Sequence, residues 1–187
     1  MADRIILIRH GQTEWSRSGQ HTSVTDLPLL PEGERTADEL APRLAGEEIA
    51  LVLTSPLARA RETCRRAGFA ERAELEPRLV EWKYGDDEGL TTPQIREARP
   101  GWWLWRDGCP GGESPAEVGA RADAVLDRLA RVEGVGLLFA HGHILRVLTA
   151  RWLELPVEGG ARFRLDAGTV SVLGHERETQ VILSWNT

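Results

Sequence analysis

The stretch Arg4-Ile5-Ile6-Leu7-Ile8-Arg9-His10-Gly11-Gln12-Thr13 decides the fold. Residues 4–8 form an unbroken β-branched and apolar run, the pattern of a strand buried on both faces. A cation, an imidazole and a glycine follow at once. Two further runs repeat the arrangement. Residues 49–53 (Ile-Ala-Leu-Val-Leu) lead into Thr54-Ser55-Pro56-Leu57-Ala58-Arg59, and residues 135–140 (Val-Gly-Leu-Leu-Phe-Ala) lead into His141-Gly142-His143. Helical periodicity occupies 32–46, 56–68, 115–132 and 143–153, with Pro31 and Pro56 near two of the starts, where a missing N–H costs little. Strands alternating with helices predict an α/β fold on a mostly parallel sheet. Residues 162–166, 169–174 and 179–184 read as antiparallel edge strands. The glycine- and proline-rich segment 81–114 reads as a long functional loop.

Composition sets the outer bounds. A chain of 187 residues predicts one domain spanning 1–187, because domains run to roughly 150 residues. At 41% apolar and 28% charged residues, disorder, collagen and coiled coil are all disfavoured. No apolar run approaches the roughly 20 residues that span a bilayer. Met-Ala-Asp-Arg runs directly into a strand, without the apolar stretch of a signal peptide. Two cysteines, Cys64 and Cys109, make no disulfide framework and carry no partner motif, so a reducing cytoplasm is the expected compartment. The net charge of −6 argues against a nucleic-acid partner. All but Lys83 of the 23 basic residues are arginine. A GC-rich coding bias accounts for that skew as a whole and says nothing about place. At a strand end an arginine holds phosphate bidentately, where a lysine offers a point charge.

The chemistry gathers where the three runs end. In open α/β sheets ligands bind outside the carboxyl ends of the strands. Arg9-His10-Gly11, Arg59 and His141-Gly142-His143 would therefore converge on one edge, with helix N-termini adding N–H donors. A phosphoryl group fits such a pocket. Each piece alone reads blandly: a histidine after a strand is usually a cap, Arg59 and Arg61 could be solvated helix residues, and Glu81 a surface carboxylate. Two strand-terminal His-Gly pairs with an arginine before the first outweigh those separate readings.

Four blocks in order also resemble the histidine phosphatase superfamily, which includes cofactor-dependent phosphoglycerate mutases. They are Arg9-His10-Gly11-Gln12-Thr13, Thr54-Ser55-Pro56-Leu57-Ala58-Arg59-Ala60, Glu81-Trp82-Lys83-Tyr84-Gly85 with Glu88-Gly89, and Ala140-His141-Gly142-His143. The resemblance covers nearly the whole chain. It implies a three-layer α/β/α sandwich and hydrolysis of phosphate esters, with His10 as nucleophile, Arg9, Arg59 and His141 stabilising charge, and Glu81 as proton donor. Adjacent Trp82 would help to desolvate that carboxyl. No metal or cofactor is implied. The same resemblance places Ser16, Thr22, Ser23, Tyr84, Gly142 and His143 against substrate. Ser23 stands where relatives carry glycine, and Ser16 where mutases often carry asparagine.

Within the superfamily the residues around Glu81 and Asp107-Gly108-Cys109 are most similar to bacterial acid phosphatases and to the sedoheptulose-bisphosphatase type. The implied partner is a small phosphorylated substrate, sugar phosphates foremost, with neither nucleic acid nor membrane, and a homodimer is left open. Phosphoryl transfer of the mutase kind is the alternative, against which the chain is short and 92–101 (Thr-Pro-Gln-Ile-Arg-Glu-Ala-Arg-Pro-Gly) lacks an Arg-Arg pair. A metal hydrolase built on His141 and His143 would need further Asp/His ligands at recognisable spacing. A binding protein without turnover would not need all five core residues. Trp102, Trp103 and Trp105 are either a lid or core. Ser114 is expected as a helix N-cap beside Pro115, with Glu113 structural.

Overall fold

The computed structural model describes residues 2–187. At its centre is β1 (Arg4–Arg9), whose Ile5, Ile6, Leu7 and Ile8 are all buried. β1 pairs in parallel with β4 (Val135–Ala140), from Arg4 against Val135 to Arg9 against Ala140, and antiparallel with β5 (Val170–Glu176). β2 (Ile49–Thr54) lies parallel to β4, and the short β3 (Ala73–Leu75) parallel to β2. β6 (Thr179–Ser184) closes the opposite edge as a hairpin with β5. The order β3-β2-β4-β1-β5-β6 makes one mixed sheet, parallel through its first four strands.

Alternation along the strands sorts the two faces. Ile5, Leu7, Leu53 and Leu138 pack on α7 (Pro115–Leu129) and α8 (Gly142–Trp152). Ile6, Ile8, Val52 and Phe139 pack on α3 (Leu40–Leu44) and α4 (Ala58–Arg66). The result is the three-layer α/β/α sandwich. α7 starts as read: Ser114 accepts from the Glu117 N–H, Glu117 accepts from the Ser114 N–H at 2.8 Å, and Pro115 occupies the first turn. Among the described residues no helix is long and apolar enough to cross a membrane.

Several expected boundaries move, for identifiable reasons. The helix read over 32–46 is two, α2 (Pro31–Asp38) and α3, because Pro42 has no N–H for the Asp38 carbonyl. The helix expected from Pro56 begins at Ala58, whose N–H donates to Asp26 at 2.8 Å. The strand expected at 162–166 does not exist. Leu165 is buried between exposed Arg164 and half-buried Asp166, but the segment follows a 3-10 turn (Val157–Arg162) and its carbonyls accept from Arg9 and Trp185 side chains rather than from a strand. Segment 81–114 is ordered into a 3-10 turn (Gly85–Asp87), α5 (Thr92–Ala98) and α6 (Leu104–Asp107), elements too short to show periodicity. Trp102 and Trp105 belong to the core, whereas Trp103 is 38% exposed.

One contact fixes the loop after β1. A Cβ on Gly11 would lie 2.3 Å from the Gly33 carbonyl oxygen, and a Cβ on Gly33 would lie 2.3 Å from the Gln12 carbonyl oxygen. α2 therefore rests backbone to backbone on the residues after His10, and the Gly11 N–H reaches Thr63 Oγ1 of α4 at 3.1 Å. Gly11→Ala or Gly33→Ala should each lower unfolding free energy by about 1–3 kcal/mol, the usual cost of overpacking. Urea titration checks this, and an Ala variant as stable as wild type would contradict the contact.

Candidate active site

Parallel pairing sets the first two groups. Because Arg9 faces Ala140 across β1 and β4, His10 and His141 leave the sheet side by side, with ring centroids 5.1 Å apart. His10 Nδ1 donates to the Gly11 carbonyl at 2.7 Å, an oxygen that only accepts, so Nδ1 carries the proton and Nε2 keeps its lone pair. Burial, then the Arg59 and Arg9 charges, hold His10 well below the usual histidine range. The ring is therefore neutral, with a free lone pair on Nε2. His141 is neutral too, through burial first and then the same arginines. Its Nδ1 accepts from Arg59 Nε at 3.2 Å, which leaves the proton on Nε2, 2.7 Å from Ser55 Oγ.

A cavity of about 230 Å³ opens in front of His10. Arg9 lines it, with one terminal nitrogen spent on the Leu165 carbonyl and its buried Nε without a partner. The Arg9 guanidinium brings positive charge to the wall, which suits an oxyanion. Arg59 lies deeper than expected: 1% exposed and outside the cavity wall, it donates to the carbonyls of Thr22, Ser23 and Thr25 as well as to His141.

Glu81 faces His10 across the cavity and is 5% exposed. Its Oε1 accepts from the N–H groups of Trp82 and Ile144, both at 2.9 Å, and its Oε2 from the N–H of His143 at 2.9 Å. No side chain of its own caps α8; Glu81 does so from a distant loop. That loop is pinned in turn by Arg121 of α7, which donates to the carbonyls of Arg78 and Val80 and pairs with Glu113 at 2.7 Å. Trp82 serves Glu81 with its backbone only. Its indole turns away to the Glu113 carbonyl and to Trp105.

The other expected residues divide. Thr22, Tyr84, Gly142 and His143 line the cavity, and so does Ser16, whose hydroxyl closes a capping box with Thr13 at the start of α1 (Glu14–Ser18). Ser23 does not: it is 2% exposed and its hydroxyl donates to Glu88 at 2.5 Å, because Glu88 also collects the N–H groups of Ser23 and Thr25. This clasp, with the Gln20–Thr91 bridge and the His21 N–H on the Leu90 carbonyl, joins segments 20–25 and 84–92 edge to edge. Among the wall residues that escaped the sequence reading are His21 and Arg146. Arg146 lies one turn beyond His143 on α8, stacks on Trp105 at 4.6 Å and donates to Gly160 and Ala161. Helical spacing after His143 was the signal for it; His21 had only its place beside Thr22. Among the described residues no cluster of three His, Cys, Asp or Glu side chains could hold a metal ion.

The family model described as histidine phosphatase superfamily (branch 1) matches residues 5–187. The chain belongs to that superfamily. It is similar to an acid phosphatase of Mycobacterium tuberculosis, 43% identical over 92% of this chain and 87% of that one. It is also similar to a sedoheptulose 1,7-bisphosphatase of Saccharomyces cerevisiae, 37% identical over 84% of this chain and 70% of the other. The solved structure of a functionally characterised open reading frame from M. tuberculosis superposes with a TM-score of 0.90 at 36% identity, covering 100% of this chain and 98% of that one.

In this histidine phosphatase fold, three histidines, His10, His141 and His143, have their pKa lowered well below the ordinary value, burial being the first cause each time. The unfolded chain protonates them near pH 6.5 and the folded one only well below that, so U binds more protons and stability falls as pH drops below about 6.5. Each contributes at most about 1.4 kcal/mol per pH unit. His10→Asn keeps a donor for the Gly11 carbonyl and removes one such titration. Urea unfolding between pH 7 and 5 should show a slope shallower by up to one proton, and an unchanged slope would contradict a neutral His10.

Proposed function

We propose that the protein is a phosphomonoesterase that hydrolyses small phosphate esters, sugar phosphates foremost, through a phosphohistidine on His10. One observation carries the reading. The lone pair of His10 Nε2 opens on the cavity that is also lined by Arg9 and Glu81. Nucleophile, anion donor and proton carrier thus face one space. The relatives named as acid phosphatase and sugar bisphosphatase support hydrolysis and this substrate class.

Nε2 attacks phosphorus and the P–O bond to the leaving alcohol breaks. Glu81 gives that oxygen its proton, from Oε2, which accepts one N–H where Oε1 accepts two. Water then attacks the phosphohistidine, Glu81 takes a proton from it, and inorganic phosphate leaves. Arg9 meets the equatorial oxygens from the cavity wall, and the Arg59 charge, held behind it against His141, acts on them through its field, with no metal in the scheme. Phosphoryl return to substrate, as in a mutase, is disfavoured by α5. Its Arg96 binds the Trp102 carbonyl and the neighbouring Arg99 pairs with Asp87, so neither is free to hold a substrate carboxylate. The enzyme works as one domain over 1–187 in a reducing cytoplasm, where burial pushes the Cys64 thiol up to about 12 and keeps it inert.

His10→Ala should abolish turnover of phosphate esters in EDTA while leaving the unfolding midpoint near wild type. Acid-quenched enzyme should carry labelled phosphate on His10. Label on another residue, or activity lost to EDTA and restored by zinc or magnesium, would contradict the scheme.

Glu81→Gln should cost an alkyl ester about 10²–10⁴-fold. The first step with p-nitrophenyl phosphate, whose leaving group needs no proton, should change little. Equal losses in the pre-steady-state burst would remove Glu81 as the acid. Interconversion of 2- and 3-phosphoglycerate without net phosphate release would make the protein a mutase.

A further inference from the structure

Two imidazoles form the cavity wall away from the phosphorus chemistry. His21 and His143 lie parallel, at 9° with centroids 6.2 Å apart, and both line the cavity. Their inner nitrogens are committed in opposite senses. His21 Nδ1 sits 2.8 Å from the Leu90 carbonyl, which only accepts, so that nitrogen carries a proton, and in the neutral ring Nε2 bears the lone pair. His143 Nδ1 lies 2.6 Å from the Tyr84 hydroxyl. Burial raises the Tyr84 phenol well above its ordinary range, so the hydroxyl keeps its proton. Burial, then Arg146 and His21, hold His143 neutral; with the hydroxyl donating to Nδ1, the one ring proton is on Nε2. Tyr84 also packs edge-on against the His21 ring at 4.7 Å, and Trp105 backs His143 at 5.3 Å, which fixes both rings.

The wall therefore offers one N–H donor, His143 Nε2, and one acceptor, His21 Nε2, side by side on the carboxyl side of the site. His143 Nδ1 is 3.8 Å from Glu81 Oε2, the oxygen assigned above to the leaving group's proton. Whatever meets these two nitrogens is thus attached close to the scissile ester oxygen. A hydroxyl satisfies both, since it accepts and donates at once; a vicinal pair does so with one group each. An apolar leaving group would displace water from both nitrogens and offer them no partner.

We propose that His21 and His143 together read hydroxyl groups on the carbons next to the scissile ester, making the enzyme selective for polyol phosphates, with Tyr84 as the positioning residue that holds His143 in its donor form. This inference rests on the phosphatase reading and deepens it.

Glycerol 1-phosphate and n-propyl phosphate test it, because they share a carbon skeleton and differ by two hydroxyls. The wild-type enzyme should favour glycerol 1-phosphate in kcat/KM by at least about tenfold, the worth of one net hydrogen bond or more. His143→Ala and His21→Ala should each reduce that ratio several-fold. His143→Gln, which presents an N–H in place of the imidazole Nε2–H, should recover part of it. Tyr84→Phe should lower the ratio as well and move the His143 ¹⁵N signals toward a mixture of tautomers. A merely structural role would weaken both esters equally and leave the tautomer unchanged. Equal kcat/KM for the two esters in wild type, or a ratio unmoved by the substitutions, would overturn the inference while leaving the phosphatase intact. Failure to hydrolyse either ester would overturn the phosphatase reading and this one with it.

Discussion

The parallel pairing of β1 with β4 is the constraint from which the rest follows. Both strands are buried on both faces, and their ladder ends with the His10 N–H on the Ala140 carbonyl at 3.0 Å. Two histidines distant in sequence are thereby held at a fixed separation by backbone hydrogen bonds rather than by side-chain contacts. The next parallel strand, β2, brings Ser55 and Arg59 to the same edge, where they take up the two nitrogens of His141. Strand-end positioning is stiff, because moving one ring means shearing the centre of the sheet.

Burying cations here costs desolvation, and the fold offsets it with carbonyls more than with carboxylates. Arg59 is surrounded by three main-chain oxygens; its contact with the exposed Asp26 is 3.8 Å long. Arg146 is treated the same way by Gly160 and Ala161. Neutral dipoles hold these guanidinium groups without cancelling their charge, so the field at the cavity stays positive and the neighbouring imidazoles stay neutral. A carboxylate on each arginine would have been a more conventional pairing and a poorer anion site.

What was legible in the sequence follows from what each element buries. β1 and β4 announced themselves because they are covered on both faces and so run continuously apolar, and β2 because its second half is covered in the same way. β3 did not, being three residues at an edge, and 162–166 imitated a strand because Leu165 is buried in the core without any neighbouring strand to pair with. The residues proposed for catalysis on strand ends were readable, since a parallel sheet sends every such end to one place. Ser23 and His21 were not, because their orientation is decided by Glu88 and Leu90, residues more than sixty positions away that meet them only through loop pairing. Trp82 was credited with a side-chain role that belongs to its backbone, a distinction invisible before the indole's own partner is known.

The clasp made by Glu88 has a consequence for how such an enzyme diversifies. It fastens segments 20–25 and 84–92 into one plate that carries His21, Thr22 and Tyr84, while His10, His141 and their arginines hang from the sheet. Residues on the plate can be exchanged without straining a strand, provided the carboxylate and the amides it gathers persist. The molecule is thus divided into an inherited half and an adaptable half. Drift on the second retunes which alcohol is released, and the first goes on breaking the same bond.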